Sequence, residues 1–516
     1  MIESFYLIWR NLYIRSLIRN RVCKDVLLKV DKEYLEENRQ YLALLTNRDK
    51  QDHNISIHFR GDVSDYLDIK KSNRDMINDA DLKTQEDFNF NEIHDGVRKL
   101  RLTIKCPTAS GMGQLPDSMM DLTLISDFDK DGYPPAPIIK HLFSNLPCKL
   151  QRLSLYNNDG CIQSTCVLPQ SLTDLSYEEG YSGLKWLVVP PNKVYKNCTL
   201  DLDSVKSYQW LLENKFICNV NIQPRVVPRL KSHQLPSHVT DVNLDYGLVV
   251  PDLFLPHTVE RLSFSTHGTP FSHITNLKLL HISGDYVIKL DKGVLPRSLE
   301  SLCLCYNQPL ELDVLPQTLT SFHLYRYNQP LRPNVLPPSL TYLALISFDQ
   351  PLDANVLPRK LKILTLLNFN QPTFFANSLP VSLTRLYLDA FKGSFDQCQP
   401  LDNLNTLRID SLVPSLSTLL ANVKRLDLYV KTRISEPSGI ACLFNTSIES
   451  LHLSATEKST LYPNIFPPTI KYLSLNNVVI ESDNVIPNNC RYLKSSDSDI
   501  DPKFIPQSAR YLKSIQ

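Results

Sequence analysis

Between residues 295 and 388 the chain repeats one short pattern of proline and leucine, and this repetition limits the possible folds more than any other feature. Proline falls at 296, 316, 337, 358 and 380, so the period is 20 to 22 residues. Each proline is followed by apolar residues three, six and eight places later, as in Leu340, Leu343 and Leu345. Weaker copies extend from Val97 to Leu512, which gives about 18 units, among them Leu404, Leu407, Ile409 and Val423, Leu426, Leu428. Such a period is typical of solenoids, whose units bury their apolar faces only on their neighbours.

The spacing of the apolar residues predicts the secondary structure of each unit. The second and third apolar residues are two positions apart, so they share one face of an extended strand, and the residue between them points the opposite way. The preceding proline fits the loop that enters the strand, because its missing N–H breaks no ladder bond there. The sequence therefore predicts a leucine-rich-repeat-like solenoid, poor in helix, with one short parallel strand in each 20–22-residue repeat.

In the central repeats an aromatic residue and an amide or carboxylate follow the third apolar residue. Asn and Asp side chains at a bend can satisfy backbone groups that the turn leaves unpaired. Because these residues recur with the scaffold, we expect stacked copies to form a hydrogen-bonded structural ladder. The ladder residues are Asn307, Asn328, Asp349 and Asn370.

The tetrad Phe369-Asn370-Gln371-Pro372, followed by LPVSLTRLYL, resembles the FNIP-repeat family, a short leucine-rich-repeat variant. The resemblance covers roughly residues 97 to 512 and is clearest from 295 to 388. The opening FYLIWRNLYIRSLIRN is similar to the segment that often precedes such arrays. The resemblance implies a solenoid used for protein interaction. Some relatives carry an F-box ahead of the repeats, which implies a substrate receptor of a ubiquitin ligase as the alternative.

Three segments are predicted along the chain. Residues 1–45 carry apolar residues at helical spacing and are interpreted as a helical segment that either caps the solenoid or docks a partner. Residues 46–95 are polar and form a linker or insertion, with a possible early strand around Ile57. Residues 96–516 form the solenoid, which is irregular at 185–232, where either degenerate repeats or a side insertion is expected.

Composition narrows the expected partners. The 55 Lys and Arg residues balance the 54 Asp and Glu residues, so we expect no nucleic-acid ligand. No apolar run approaches the length of a membrane span, and no signal peptide is evident, so we expect no membrane partner. The 12 cysteines include no CxxC pair, which favours free thiols in a reducing, intracellular and cytoplasmic setting. Phosphate-loop, HExxH and GxSxG motifs are missing, so we expect no enzyme activity, cofactor, metal or small-molecule substrate.

The residues between the leucines should form the concave surface of the solenoid. In the central repeats six of them are apolar or aromatic and lie on consecutive strands, which predicts a contiguous patch that binds a protein partner of unknown identity. In the other interpretation these side chains only cover one another within the sheet. Toward the C-terminus this surface becomes basic and tyrosine-bearing, which would suit RNA or phosphorylated protein. Its residues are Arg408, Arg425, Tyr429, Tyr472, Tyr492, Lys494, Tyr511 and Lys513. The predicted patch comprises Tyr325, Tyr342, Ile346, Ile363, Leu367 and Tyr387.

Overall fold

The computed structural model of this chain describes residues 24–128, 136–157, 160–230, 233–244, 247–251, 254–265, 269, 271–286, 289–434, 442–496 and 499–513. The backbone separates into two compact units, residues 1–230 with 238–241 and residues 231–237 with 242–516. Within each unit, short strands pair in parallel with a strand of the next turn. This is the architecture of a parallel β-solenoid of leucine-rich-repeat type, and the predicted fold class is confirmed.

The first unit is built mainly from one parallel sheet, in which β1, β2, β3, β5, β7, β8, β10, β12 and β13 pair in that order. Two small parallel pairs, β4 with β6 and β9 with β11, accompany it. The strands are β1 (Leu27–Val30), β2 (Ser56–Asp62), β3 (Asp79–Thr84), β4 (Phe88–Asn89), β5 (Lys99–Ile104), β6 (Gly111–Met112), β7 (Asp121–Ser126), β8 (Arg152–Tyr156), β9 (Cys166–Val167), β10 (Asp174–Gly180), β11 (Leu187–Val188), β12 (Tyr195–Leu202) and β13 (Ile217–Ile222).

Short helices connect the strands of this unit. They are α1 (Lys32–Glu37), α2 (Arg39–Leu42), α3 (Asn47–Asp52), α4 (Val63–Asp68), α5 (Lys71–Arg74), α6 (Pro137–Ser144), α7 (Tyr181–Leu184) and α8 (Val205–Glu213). The first 23 residues of the predicted helical segment 1–45 lie outside the described residues, and its remainder contains β1, α1 and α2.

The repeating strand begins earlier than the predicted boundary at residue 96. Residues 46–95, predicted as a polar linker or insertion, contain β2 and β3 as paired strands of the sheet. The outward positions of β3 are the charged Asp79, Asp81 and Lys83, while Ala80 and Leu82 between them are fully buried. Charged outward residues alternate with buried apolar residues along this strand, so the segment has a polar composition although half of its residues face the core. The irregular stretch 185–232 likewise contains the paired strands β12 and β13.

The second unit continues the same architecture with one short α-helix, α9 (Leu416–Leu419), and a 3-10 helix at Pro502–Phe504 among its described residues. From β15 to β26 each strand pairs in parallel with the next, and β26 pairs with β28. The strands are β14 (Asp241–Leu244), β15 (Arg261–Phe264), β16 (Leu279–Asp285), β17 (Ser301–Cys305), β18 (Ser321–Leu324), β19 (Tyr342–Leu345), β20 (Ile363–Thr365), β21 (Arg385–Leu388), β22 (Thr406–Ile409), β23 (Arg425–Val430), β24 (Ser450–Leu461), β25 (Tyr472–Ile480), β26 (Tyr492–Ser496), β27 (Asp499–Ile500) and β28 (Arg510–Lys513).

The core of the second unit consists of stacked columns, one residue from each turn. Leu343 is fully buried, and its register partners on the neighbouring strands are Phe322 and Leu364. The aromatic residue of each tetrad forms a second column, in which the ring centroids of Phe348 and Phe369 are 6.2 Å apart and nearly parallel at 4°. Burial of apolar side chains is the main favourable term in folding, so these columns stabilise each turn on its neighbours.

Two further repeated features stabilise the turns, and neither was predicted from the sequence. The Ser or Thr of the LPxSL segment donates to a backbone carbonyl of the preceding turn, as Ser339 does to Leu319 at 2.6 Å. Asn or Asp residues two places before the Leu-Pro pair take positive φ, which glycine most often supplies, and Asn355 has φ 61°. This use of Asn accounts for part of the low glycine content. The Asn that recurs before Val-Leu-Pro is the sequence feature from which this turn position could have been predicted.

Two details of the C-terminal turns differ from the predicted frame. Thr406 is the register partner of Asp427, so the pairing of β22 with β23 is two residues out of step with the frame based on Leu426 and Leu428. In the last turn Tyr511, and not Leu512, is the partner of Leu493. Both Tyr511 and Leu512 are apolar enough to fill the column, so the sequence alone does not decide between them.

Candidate functional site

The outward side chains of β18 to β21 form one continuous surface of the second unit. We call this surface the central face and include in it residues 325, 346 and 367, which follow the strand ends. Tyr342 and Ile363 are direct register partners on adjacent strands, and Thr365 is the partner of Tyr387. Adjacent strands lie about 4.8 Å apart, so register partners on one face touch through their side chains.

The six predicted patch residues lie on the central face, but in separate rows. Tyr342 and Ile363 form one row, and Tyr325, Ile346 and Leu367 follow the other ends of the strands. The middle row consists of His323, Ala344, Thr365 and Tyr387. Tyr387 therefore lies in a third row, where His323, Ala344 and Thr365 separate the other five patch residues into two groups.

The side chains of this patch and their neighbours cover one another, which reduces their exposure to solvent. Tyr325 is 37% exposed, and the other five predicted residues are half-buried. The Tyr325 ring packs on the His323 ring with centroids 4.4 Å apart. Burial lowers the pKa of His323, and the nearby His281 lowers it further, so His323 favours its neutral form. Apart from the exposed Arg385, the register partner of Ile363, the face thus presents an aromatic and largely uncharged surface at neutral pH.

The four predicted ladder residues lie beside the central face and bond along the solenoid. The Oδ1 atoms of Asn307, Asn328 and Asp349 accept the backbone N–H of the next ladder residue at 2.8, 2.9 and 2.9 Å. Asn370 Oδ1 accepts the N–H of Lys392 at 3.3 Å. These side chains are engaged with the backbone, so their arrangement serves the turns and not a ligand.

A second surface lies on the outward side of β23 to β26, and we call it the tyrosine groove. It is a depression of about 410 Å³ whose lining includes Arg425, Ser450, His452, Tyr472, Tyr492 and Lys494. The Tyr472 and Tyr492 side chains are 50% and 44% exposed. Their rings are stacked, with centroids 5.1 Å apart and planes within 1°.

The neighbourhood of the groove differs in two ways from the basic surface that the sequence predicts there. Arg408 is paired with the buried carboxylate of Asp389 at 2.6 Å. Tyr511 belongs to the inner column, and its Oη lies 2.7 Å from Ser495 Oγ. The uncompensated positive charge is therefore limited to fewer residues than the sequence indicates.

Comparison with known proteins identifies the central repeats. The model of the FNIP repeat matches residues 306–348, 327–369 and 348–391. The chain carries FNIP repeats. No curated protein sequence matches the chain.

Several solved structures match the chain, each with a TM-score below 0.5. CroV588, described as a circular LRR protein, is 19% identical, with 95% of this chain and 79% of that chain covered and a TM-score of 0.42. The mouse RP105/MD-1 complex is 13% identical, with 83% and 76% covered and a TM-score of 0.43. YopM from Yersinia enterocolitica is 17% identical, with 81% and 87% covered and a TM-score of 0.29.

One of the two candidate surfaces lies within the matched FNIP repeats, and the other lies outside them. The predicted patch, from Tyr325 to Tyr387, lies within the matched residues 306–391. The tyrosine groove lies beyond them, on strands from Arg425 to Ser496. The ladder residues Asn307, Asn328, Asp349 and Asn370 are all within the matched repeats, where they join consecutive turns.

Within the described part of the chain, no group of three or more His, Cys, Asp or Glu side chains is arranged to hold a metal ion. The cysteines in the same part are free thiols. Helices long and apolar enough to cross a membrane do not occur among the described residues.

Proposed function

We propose that this protein is a non-enzymatic scaffold that holds a protein partner on the central face of its FNIP repeats. The observation that carries the proposal is the set of aromatic and aliphatic side chains on adjacent strands, from the exposed Tyr325 to the paired Tyr342 and Ile363. Tyrosine at a protein interface supplies a large contact area at a low cost in conformational entropy.

The scaffold around these residues supports the same interpretation. Short strands held by stacked leucines and by the Asn ladder fix the outward side chains in position before any partner arrives. A surface ordered in advance loses less entropy on binding. Ala344 in the middle row is fully buried, so a partner would contact the apolar rows on either side of it.

The alternative function, a substrate receptor of a ubiquitin ligase, places an adaptor-docking segment at residues 1–45. The described part of that segment favours a cap on the array, because β1 pairs in parallel with β2. Lys32 on α1 also bonds to Asp68 on α4 at 2.5 Å. A cytoplasmic location accompanies both functions and rests on the cysteine pattern of the sequence.

Affinity capture from a cell lysate with the full-length chain tests the scaffold function. The double variant Tyr342→Asp/Leu367→Asp places two carboxylates on the central face and should abolish capture of specific partners. The matched control is Leu312→Asp/Val381→Asp, since Leu312 and Val381 are 60% and 58% exposed and lie in loops away from that face. If both double variants retained the same partners as the wild type, the proposal would be wrong.

A further inference from the structure

The tyrosine groove contains a row of outward residues that is separate from the central face. Arg425, Ser450, Tyr472, Tyr492 and Arg510 are register partners on five successive strands of the stack. The two tyrosines stack on each other, so one ring face of Tyr472 is turned toward Ser450. Arg425 stands on the far side of Ser450.

The small Ser450 side chain leaves a slot between Arg425 and Tyr472. With about 4.8 Å between strands, residues two strands apart are separated by about 9.6 Å at their backbones. A flat side chain lying between a guanidinium group and an aromatic ring needs a separation of this order, because each stacking contact takes about 3.5 to 4 Å. The slot therefore has the width for one planar group, and the depression around it is about 410 Å³.

Positive charge exceeds negative charge around the slot. Arg425, Lys494 and Arg510 are exposed, and none of them forms an ion pair with a described residue. Other cations nearby are paired, as Lys471 is with Glu449 at 2.6 Å. The carboxylates near these cations are Asp427 and Glu449, and Glu449 is already paired with Lys424 and Lys471, so five cations stand against two anions. Such a surface attracts an anionic ligand.

The geometry favours a peptide over a nucleic acid. The rings of Tyr472 and Tyr492 are already stacked on each other at 5.1 Å, so no base can enter between them. Single-stranded nucleic acid binds along a continuous positively charged groove with separately exposed aromatic rings.

We infer that the tyrosine groove binds an extended acidic peptide segment of a protein partner and receives one aromatic side chain of that segment between Arg425 and Tyr472. Carboxylates on either side of the aromatic residue pair with Arg425, Lys494 and Arg510. This inference rests on the proposed scaffold function and adds the ligand class of a second surface.

Fluorescence anisotropy with the full-length chain and a labelled peptide of sequence GDEFEDG tests the inference. We expect saturable binding, weakened about tenfold or more by Tyr472→Ala and by Arg425→Glu/Lys494→Glu. The control Arg359→Glu/Lys360→Glu reverses two exposed charges outside the groove and should leave binding unchanged. Tyr325→Ala, on the central face, should also leave it unchanged.

Three further probes separate the possible ligands. The peptides GDEAEDG and GNQFQNG lack the aromatic group and the charges, respectively, and each should bind about tenfold more weakly than GDEFEDG. Binding of a uridine oligonucleotide more tightly than the acidic peptide would overturn the inference. So would the lack of any peptide binding up to about 1 mM. Loss of partners in Tyr342→Asp/Leu367→Asp alongside failure of the peptide assay would leave the scaffold function standing without this second site.

Discussion

The carboxylate of Asp349 accepts the backbone N–H of Asn370, one repeat further along the chain, at 2.9 Å. The same carboxylate also accepts the side-chain amide of Gln371 at 2.9 Å. One side chain thereby satisfies two donors of the following turn. This relationship makes the amide position of the FNIP repeat a joint between consecutive turns, and it leads to the first prediction.

Asp349→Ala should destabilise the second unit by about 1 to 3 kcal/mol, because two donors at the bend lose their acceptor. Asn370→Ala should cost less, since Asn370 Oδ1 accepts a single and longer bond of 3.3 Å from Lys392. Urea unfolding monitored by circular dichroism gives both values. A larger loss for Asn370→Ala than for Asp349→Ala would contradict this account of the ladder.

Leu343→Asp should damage the array locally. Leu343 is fully buried between Phe322 and Leu364, and an unpaired carboxylate there costs several kcal/mol or becomes protonated. Because each turn touches only its neighbours, residues 320–370 should lose protection from hydrogen exchange before the rest of the unit. The matched variant Leu343→Met should keep protection nearly intact. Uniform loss of protection across the second unit would rule out nearest-neighbour coupling.

The sequence predicted the scaffold where a residue type recurs at a fixed place in the period. Leu343 and Asn328 belong to columns of similar residues, so their partners in the next turn could be inferred from spacing alone. The prediction failed where chemistry did not distinguish two positions. At the last turn both Tyr511 and Leu512 can fill the column, and at Asp427 the pairing is shifted by two residues although leucines continue.

The surface was harder to predict than the core. The sequence places Tyr342 and Ile363 on one face, and they are register partners there. Their half-burial depends on the size of each neighbour, which the pattern of a single repeat does not contain. The slot beside Tyr472 exists because Ser450 is small and lies between two large side chains. Ser450 is 25 positions from Arg425 and 22 positions from Tyr472, so their proximity can be inferred only once the strand register is known.

Cysteine reactivity should follow burial. The exposed Cys148 and the half-exposed Cys106, whose pKa is lowered by hydrogen bonding with Thr108, should react first with iodoacetamide at pH 7. Burial raises the pKa of Cys161 and of Cys166 to about 12, so both should stay unmodified in the native protein. Peptide mass spectrometry after brief labelling resolves these sites, and labelling in urea shows that every thiol can react. Equal native rates at Cys161 and Cys106 would contradict the described burial.

Lys50 should make the stability of the first unit depend on pH in the alkaline range. Burial, and secondarily the charge of Arg98, lowers its pKa from 10.5 to about 8, while its Nζ donates to the carbonyl of Met76 at 2.8 Å. Below pH 8 both the folded and unfolded states carry the proton, so the cost of burying the charge is fully present. Between pH 8 and 10.5 the unfolded state retains the proton that the folded state has lost, so stability rises with pH, by at most about 1.4 kcal/mol for each pH unit. Above 10.5 both states are neutral and the cost is gone.

The free energy of unfolding of the wild type, measured in urea relative to Lys50→Met, should therefore increase from pH 8 to pH 10, because groups common to both proteins cancel in the difference. Lys140→Met, at an exposed position on α6, should show no such increase. A difference between wild type and Lys50→Met that stays constant over this range would mean that Lys50 titrates alike in the folded and unfolded chains.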